Sequence, residues 1–341
     1  MDNNITIAVD AMGGDGSPKK ILEGINEHNK KSKNVNYLIF GDKNIIDTFI
    51  PKSLNKTCYE IIDTKNKVEG KDTPLEAAKR GKDTSMWLSI ESVKDKKADI
   101  VISAGNTGAL LVISKLNLKM IENIDKPALS ALWPNKTGMS VVLDLGANIE
   151  CNEKNLIDFS IMGASLFKSL YPNEKAKVAL LNIGSEEMKG NDVLKNTYQK
   201  MNEIKSSQFN FEGFIEGNDL MNGNVNVIVS DGFTGNVALK TAEGTANFIT
   251  NELKKMFNNN FLGKLSGLIN YLNLKSFKKR LDPRLYNGAI FIGLDSPVVK
   301  SHGATDYIGF SNSLSVCELS LIHISEPTRP LYISYAVFCL K

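Results

Sequence analysis

The sequence predicts an α/β fold in which helices cover a mostly parallel β-sheet. Short runs rich in Val, Ile and Leu alternate along the chain with longer segments of helical periodicity, and this alternation is typical of βαβ units. No Pro- or Ser-rich linker interrupts the 341 residues, and 42% of them are apolar, which is enough for one sizeable core. We therefore expect residues 1–318 to form a single domain.

The first predicted unit is a strand, a glycine-rich loop and the start of a helix. The strand is the run ITIAVD, which ends at Asp10, and the loop after it reads AMGGDGSP. Glycine suits places where the backbone bends sharply or comes close to a ligand. Ser17 is a good helix N-cap and Pro18 suits the first helical position, so a helix is predicted from about Pro18 to Lys31. Because a helix N-terminus attracts anions, this loop is a candidate anion site.

The remaining elements follow from the same patterns. A long helix is predicted for Pro74–Lys94, and a helical hairpin with a break near Asn258–Asn260 is predicted for Thr245–Asp282. Six further strands are predicted from the runs VNYLIFGD, YEIIDT, ADIVIS, MSVVLD, KVALLNIG and NVNVIVSD.

Five loops that follow predicted strands are built mainly from Gly, Asn, Asp, Ser and Thr. One such loop could be an ordinary turn, but ligands of open α/β sheets bind beyond the carboxyl ends of strands, so five together indicate a site. Backbone N–H groups, hydroxyls and amides with few cations suit a phosphate group held by dipoles. The loops are 13–16, 104–108, 146–148, 184–186 and 231–236.

A sixth segment, VVKSHGATD, places Lys300 and His302 two residues apart after an apolar run. At the end of a strand these two side chains would point the same way. A cation beside an imidazole suits an anionic substrate or leaving group, and the alternative for His302 is a structural hydrogen-bonding role. The motifs GxxxxGK[ST], GxGxxG, GxSxG and HExxH do not occur, which argues against a P-loop, a dinucleotide fingerprint, a nucleophile elbow and a zinc protease.

Composition narrows the possible partners and compartment. A net charge of +3 is nearly balanced, so we expect no nucleic-acid partner. Four Cys without CxxC spacing and only three His favour reduced thiols over a zinc site. The N-terminus lacks the basic and apolar regions of a signal peptide, and no run approaches 18 apolar residues. These features predict a cytoplasmic protein.

Six motifs together resemble one known family, the bacterial phosphate acyltransferases. In chain order they are IAVDAMGGDGSP, SAGNTGALL, LDLGAN, LLNIGSEEMKGN, SDGFTGNVALK and VVKSHGATD. The resemblance spans nearly all of Ile5–Ser315, with mild departures at Gly81-Lys82 and at Lys126. It implies an α/β/α sandwich similar to phosphotransacetylases and isocitrate-type dehydrogenases, and a homodimer. The implied reaction converts acyl-[acyl carrier protein] and inorganic phosphate to acyl phosphate, for phospholipid synthesis, with no cofactor and no metal.

The resemblance also suggests roles for particular residues. Phosphate itself would attack the thioester, so the chain must orient two anionic partners and stabilise an oxyanion and a departing thiolate. We expect Lys300 to supply positive charge and His302 to assist the thiolate, with Asp231 and Asn236 orienting them. The candidates for binding phosphate or substrate are Asp10, Gly13, Gly14, Asp15, Gly105, Asn106, Thr107, Gly108, Asp144, Asn148, Lys189, Asn191 and Thr234. Asp144 could instead cap a helix, and Lys189 and Asn191 could belong to a solvated helix start.

The predicted hairpin combines apolar and basic residues. This composition suits a membrane surface or an acidic partner such as acyl carrier protein, and the alternative is a pair of helices packed in the core or at a dimer interface. The resemblance favours a protruding hairpin with peripheral membrane contact.

Three other functions remain open at this point. A coenzyme A-dependent phosphotransacetylase would share the fold and reaction class. A nicotinamide dehydrogenase would need a nucleotide fingerprint and metal-binding carboxylates, which are not evident. A non-catalytic, membrane-associated adaptor would have no need of the small polar loops.

The segment Leu319–Lys341 resembles the in-frame translation of a transposase-type sequencing adapter. We expect it to be non-native, and the natural sequence to be truncated near Cys317 or Glu318. His323 and Cys339 are therefore given no functional role.

Overall fold

The computed structural model of the chain describes residues 4–259, 261–280 and 282–324. The N-terminal half alternates strands and helices as predicted. Its elements are β1 (Ile5–Asp10), α1 (Lys19–Lys31), β2 (Val35–Gly41), α2 (Lys43–Phe49), β3 (Tyr59–Asp63), α3 (Pro74–Arg80), α4 (Ser85–Lys94), β4 (Ile100–Ser103) and α5 (Thr107–Asn117).

The rest of the described chain adds seven strands and six helices. They are β5 (Ala128–Pro134), β6 (Met139–Leu143), α6 (Glu153–Leu170), β7 (Ala176–Leu181), α7 (Asp192–Glu203), β8 (Phe209–Ile215), β9 (Val227–Val229), α8 (Gly232–Asn258), α9 (Phe261–Ile269), α10 (Tyr271–Arg280), β10 (Ala289–Ile292), β11 (Val298–Lys300) and α11 (Tyr307–Ile324). Short 3₁₀ turns occur at Lys56–Cys58, Gly217–Asp219 and Pro283–Tyr286.

The eleven strands of the described residues form one sheet in the order β3-β2-β1-β4-β11-β10-β5-β6-β9-β7-β8. Pairing is parallel within β3-β2-β1-β4-β11 and within β6-β9-β7-β8. The three pairings between these groups, β11-β10, β10-β5 and β5-β6, are antiparallel. The mostly parallel sheet is therefore confirmed. Because three reversals separate the two parallel groups, they run in opposite directions, which the sequence pattern did not reveal.

Helices pack on both sides of the sheet, as in the predicted sandwich. In β1, Ile7 and Val9 pack with α1 and α11, whereas Ala8 between them packs with α4 and α5 on the opposite face. A third cluster buries α6 against β6, β7 and β9. The buried face of α1 includes Ile21 and Leu22, both without solvent exposure.

Two predicted helices differ at their boundaries. The segment predicted as one helix, Pro74–Lys94, is divided into α3 and α4, because Thr84 caps a new helix by accepting a hydrogen bond from the Trp87 N–H. The predicted N-cap Ser17 is also wrong. Helix α1 begins at Lys19, and the Ser17 hydroxyl donates instead to the Gly13 carbonyl, 2.5 Å away.

The predicted hairpin corresponds to the end of α8 together with α9 and α10. Helix α8 begins well before Thr245, at Gly232, and runs for 27 residues. Large apolar side chains along the hairpin face solvent, and Phe261, for example, is 79% exposed. Among the described residues, no helix is both long enough and apolar enough to cross a bilayer.

The final described helix, α11, crosses the boundary predicted at residue 319. Its Leu321 packs in the same core cluster as α1 and β1. Residues 325–341 of the predicted foreign segment, including Cys339, lie outside the described residues. The origin of this segment stays a prediction.

Candidate functional site

Four of the six predicted loops contribute residues to a cleft of about 860 Å³ above the middle of the sheet, whereas residues 13–16 and 184–186 are not among the described residues that line it. Its floor includes Leu129 and Ala131 of β5 and Ala289 of β10. One wall comes from the loops after β4 and β11, and the other comes from the loop after β6 and the start of α8. Because the two parallel groups run in opposite directions, the site lies over the antiparallel strands between them rather than at one common strand edge.

Asp10, at the end of β1, joins two of the loops. Its carboxylate is buried and accepts hydrogen bonds of 2.6 Å from the Ser85 and Ser103 hydroxyls. Burial raises the pKa of this carboxyl, while the hydroxyl hydrogen bonds oppose that rise. Asp10 therefore fixes the loops after β1 and β4 next to α4. Sequence reasoning missed Ser85 and Ser103, which are distant from Asp10 in the chain.

The glycine loop after β1 packs closely against the loop after β4. A Cβ at Gly13 would lie 2.7 Å from the Gly105 backbone nitrogen, so only glycine fits there without movement. Gly14 has a φ of +84°, a value that favours glycine. The Asp15 N–H donates to the Gly303 carbonyl at 3.0 Å. Gly13, Gly14 and Asp15 thus keep the neighbouring loops after β4 and β11 in position. They are not among the described residues that line the cleft.

The N-terminus of α5 opens directly onto the cleft. Asn106 caps this helix by accepting a hydrogen bond of 3.0 Å from the Ala109 N–H. Gly105, Asn106, Thr107 and Gly108 all line the cleft. A helix N-terminus with small residues attracts an anion through its N–H groups and its dipole, so this is the predicted loop whose geometry best suits an anion.

Asp144 and Asn148 organise the loop after β6. The buried Asp144 carboxylate accepts from the N–H groups of Leu129, Gly146, Ala147 and Asn148 and from the Asn148 side-chain amide, over 2.8–3.1 Å. Burial raises the pKa of the Asp144 carboxyl, and these hydrogen bonds oppose the rise. Asp144 and Asn148 are not among the described residues that line the cleft. They fix the conformation of the loop whose Leu145 and Gly146 line it.

The start of α8 carries the second wall. Asp231 caps this helix, accepting 2.8 Å hydrogen bonds from both the N–H and the hydroxyl of Thr234. Asn236 is exposed and lines the cleft, and further along the same helix Lys240 and Glu243 line it too. The spacing of these three residues places them on one helix face. Sequence reasoning included Asn236 but missed the other two, although this spacing was a readable signal.

Lys300 is the buried cation of the site. It ends β11, is 9% exposed and lines the cleft, and its ammonium donates to the Ser301 carbonyl. Burial lowers the pKa of Lys300 to about 8, and the charges of Lys20 and Lys240 lower it further, against the opposing effect of Asp10. An anion in the cleft would favour the charged form of this lysine and oppose the lowering of its pKa.

His302 lies in the loop after β11, on the same side as Lys300. Its Nε2 is 2.9 Å from the Lys240 Nζ, and the Ala304 N–H lies 3.3 Å from its Nδ1. Its backbone N–H donates to the Asn287 side-chain oxygen at 3.0 Å, which fixes the loop. Partial burial lowers the pKa of His302, and the charge of Lys240 lowers it further. The ring is therefore neutral near pH 7.

Two predicted residues lie elsewhere. Asn191 caps α7 through a 2.9 Å hydrogen bond from the Leu194 N–H, and the Lys189 N–H donates to the Glu186 carbonyl. They follow β7, two strands away from β6, and are not among the described residues lining the cleft. Within one copy of the described chain, they are therefore not part of the assembled site.

A third cation, Arg284, lines the cleft near the end of the hairpin. Its guanidinium donates to the carboxylates of Asp282 and Asp306 over 2.6–3.1 Å. These contacts tie the turn after α10 to the loop that carries His302. No group of His, Cys, Asp and Glu suited to a metal ion occurs in the part of the chain that the structure describes.

Comparison with known proteins agrees with these motifs. A family model described as a fatty acid synthesis protein matches residues 5–319. A phosphate acyltransferase from Pelagibacter ubique is 74% identical over 317 residues, covering 93% of this chain and 95% of that protein. The chain belongs to the phosphate acyltransferase family. A second phosphate acyltransferase, from Rhodospirillum rubrum, is 44% identical over 318 residues, covering 93% of this chain and 90% of that protein.

Family membership confirms the predicted acyltransferase with a role in lipid synthesis. Solved structures confirm the predicted fold. A phosphotransacetylase from Streptococcus pyogenes aligns with a TM-score of 0.60 at 14% identity, over 97% of this chain and 94% of that chain. The EutD phosphotransacetylase from Staphylococcus aureus aligns with a TM-score of 0.59 at 16% identity, over 94% of each chain. At these identities the likeness concerns the fold alone.

Proposed function

We propose that this phosphate acyltransferase transfers an acyl group from acyl carrier protein to inorganic phosphate, releasing acyl phosphate and the free carrier thiol. One observation carries the proposal. The N-terminus of α5, Lys300 and His302 face one cleft, so dipoles, a cation and a proton-transfer group surround the same space. This combination suits an anionic nucleophile and a thioester better than a neutral or a cationic substrate.

The chemistry needs little more than positioning and charge. Phosphate at the α5 N-terminus attacks the thioester carbonyl, so that a C–O bond forms and the C–S bond breaks. The proton of the phosphate hydroxyl must reach the departing sulfur. His302, neutral near pH 7, accepts that proton and returns it to the thiolate. Lys300 balances the phosphate charge, and Asn236 contacts the reacting groups from the opposite wall.

The predicted hairpin, Thr245–Asp282, is the proposed docking element. Its exposed apolar residues are accompanied by basic ones, so it suits an anionic surface with an apolar interior, such as a membrane of acidic lipids. We expect the chain to cosediment with vesicles containing an anionic phospholipid. Phe261→Ser together with Leu262→Ser should abolish this while leaving thiol release intact. If thiol release is lost instead, the hairpin serves the carrier protein.

The decisive assay uses purified chain, palmitoyl-acyl carrier protein and inorganic phosphate, and follows the free carrier thiol. Phosphate-dependent release supports the proposal. Release only from palmitoyl-coenzyme A would identify a coenzyme A-dependent phosphotransacetylase instead. His302→Ala should slow release by about 10²-fold or more. His302 is exposed at the cleft, so the variant should keep the circular dichroism and melting temperature of the natural chain.

Two structural expectations belong to the same proposal. We expect a homodimer, which light scattering after size exclusion would detect as twice the chain mass. We also propose that 1–318 is the catalytic domain and 319–341 is foreign to it. A chain ending at Leu321 keeps the buried contact of that residue and should retain full activity. A loss of activity would show that the removed residues contribute to the enzyme.

A further inference from the structure

Three residues form a hydrogen-bonded chain that links the two walls of the cleft. The Lys240 ammonium donates to the Glu243 carboxylate, with Nζ and Oε2 2.7 Å apart. The same Nζ lies 2.9 Å from Nε2 of His302. Lys240 and Glu243 lie one turn apart on α8, whereas His302 belongs to the loop after β11. The contact therefore joins the two walls of the cleft.

Both ring nitrogens of His302 face N–H donors, Lys240 at Nε2 and Ala304 at Nδ1. A neutral imidazole can accept one of these hydrogen bonds, and the Lys240 contact is the shorter. A protonated imidazole can accept neither. The local geometry thus favours the neutral ring independently of any substrate.

The other charged groups around His302 are few. Lys20 and Lys300 add positive charge, and Glu243 is the carboxylate that opposes them. On the same loop, Asp306 is engaged by Arg284. Lys240 is the group whose charge lies nearest to the ring, so it has the largest influence among these cations.

We propose that Lys240 is a positioning residue, held by Glu243, that fixes the His302 ring at the cleft and keeps it in the neutral state that accepts a proton. The role of this contact in proton transfer rests on the proposed function, whereas the contact between Lys240 and His302 is present in the structure. When phosphate transfers its proton to Nε2, the Lys240 ammonium is displaced toward Glu243. Repulsion between the two cations makes the imidazolium a stronger acid toward the thiolate.

The test is the pKa of His302 measured by NMR from the ring C–H signals. The chain has only three His, and His302→Gln assigns the relevant signal. Lys240→Met should raise the pKa of His302 by about 1 unit or more, because a neighbouring cation is removed. Lys240→Arg should keep it low. Glu243→Gln should lower it, since the opposing carboxylate is lost.

A matched control is Lys30→Met. Lys30 forms an equivalent pair with Glu27 three residues away on α1, at 2.7 Å, remote from the cleft. It should leave the pKa of His302 unchanged. An unchanged pKa in Lys240→Met, or shifts of the same sign in the Lys240→Met and Glu243→Gln variants, would overturn the proposal. Lys240 is half-exposed, so its replacements should fold.

An activity measurement separates this inference from the proposed function. In the natural chain, kcat for phosphate-dependent thiol release should fall as the pH drops through the pKa of His302. In Lys240→Met, this fall should begin at higher pH, with KM for phosphate less affected. If the natural chain releases no thiol, the proposed function fails while the NMR result still decides the contact. If thiol is released but the pH profile does not move, the positioning role fails alone.

Discussion

Replacing Lys300 by methionine should stabilise the fold while abolishing activity. The Lys300 ammonium is nearly buried, and burial lowers its pKa from 10.5 to about 8. Because one pKa unit corresponds to about 1.4 kcal/mol, the charged form costs about 3 kcal/mol of folding free energy near neutral pH. Methionine fills a similar volume without this cost. It also removes the cation that we expect to bind phosphate.

The pH dependence separates the charge from the packing of the new side chain. Between about pH 8 and 10.5 the unfolded chain holds the Lys300 proton more tightly than the folded chain, so the stability of the natural chain rises with pH. The cost of the ammonium falls from about 3 kcal/mol at pH 7 to about 1 kcal/mol at pH 9.5. Any effect of methionine packing stays constant over this range.

The assay is urea denaturation of the natural chain and Lys300→Met at these two pH values. The advantage of the variant should shrink by about 2 kcal/mol from the lower pH to the higher one. Lys177→Met, which changes an exposed lysine on β7, is the control and should show no such trend. A variant whose stability difference is the same at both pH values would refute the argument that Lys300 is buried at an energetic cost.

Three further predictions concern stability. Gly235→Ala should lower the urea denaturation midpoint strongly, because the new Cβ would lie 1.9 Å from the Asp144 carbonyl oxygen. Gly244→Ala on the same helix is the control. Its Cβ meets open space, so this variant should be neutral or stabilised by about 0.5–1 kcal/mol. Asp144→Ala should lower the free energy of unfolding, measured by urea denaturation, by at least about 3 kcal/mol, because it leaves several N–H groups without their acceptor. A smaller decrease would mean that water replaces the carboxylate. Burial lowers the pKa of His28 to about 4. The free energy of unfolding of the natural chain should therefore fall by up to about 3 kcal/mol as the pH drops from 6.5 to 4. His28→Gln should not show this fall in parallel acid titrations.

Local patterns in the sequence were sufficient for much of the fold. Period-two runs such as ITIAVD become strands because alternate side chains reach opposite helical layers, as Ile7 and Ala8 do. Small polar residues after those strands cap the next helix, as Asn106 and Asp231 do. Such contacts span only three residues, so composition and spacing determine them. The motif order also determined the family, and with it the acyltransferase activity.

The arrangement of the site depended on contacts that local patterns do not encode. Asp10 meets Ser103, and Lys240 meets His302, across long stretches of chain. The antiparallel centre of the sheet arises because β10 inserts between β5 and β11. Strand pairing of this kind is decided by burial over the whole sheet, and no short window of sequence contains that information. The sequence by itself therefore determined which residue types the site would use, and tertiary packing decided which of them share the cleft.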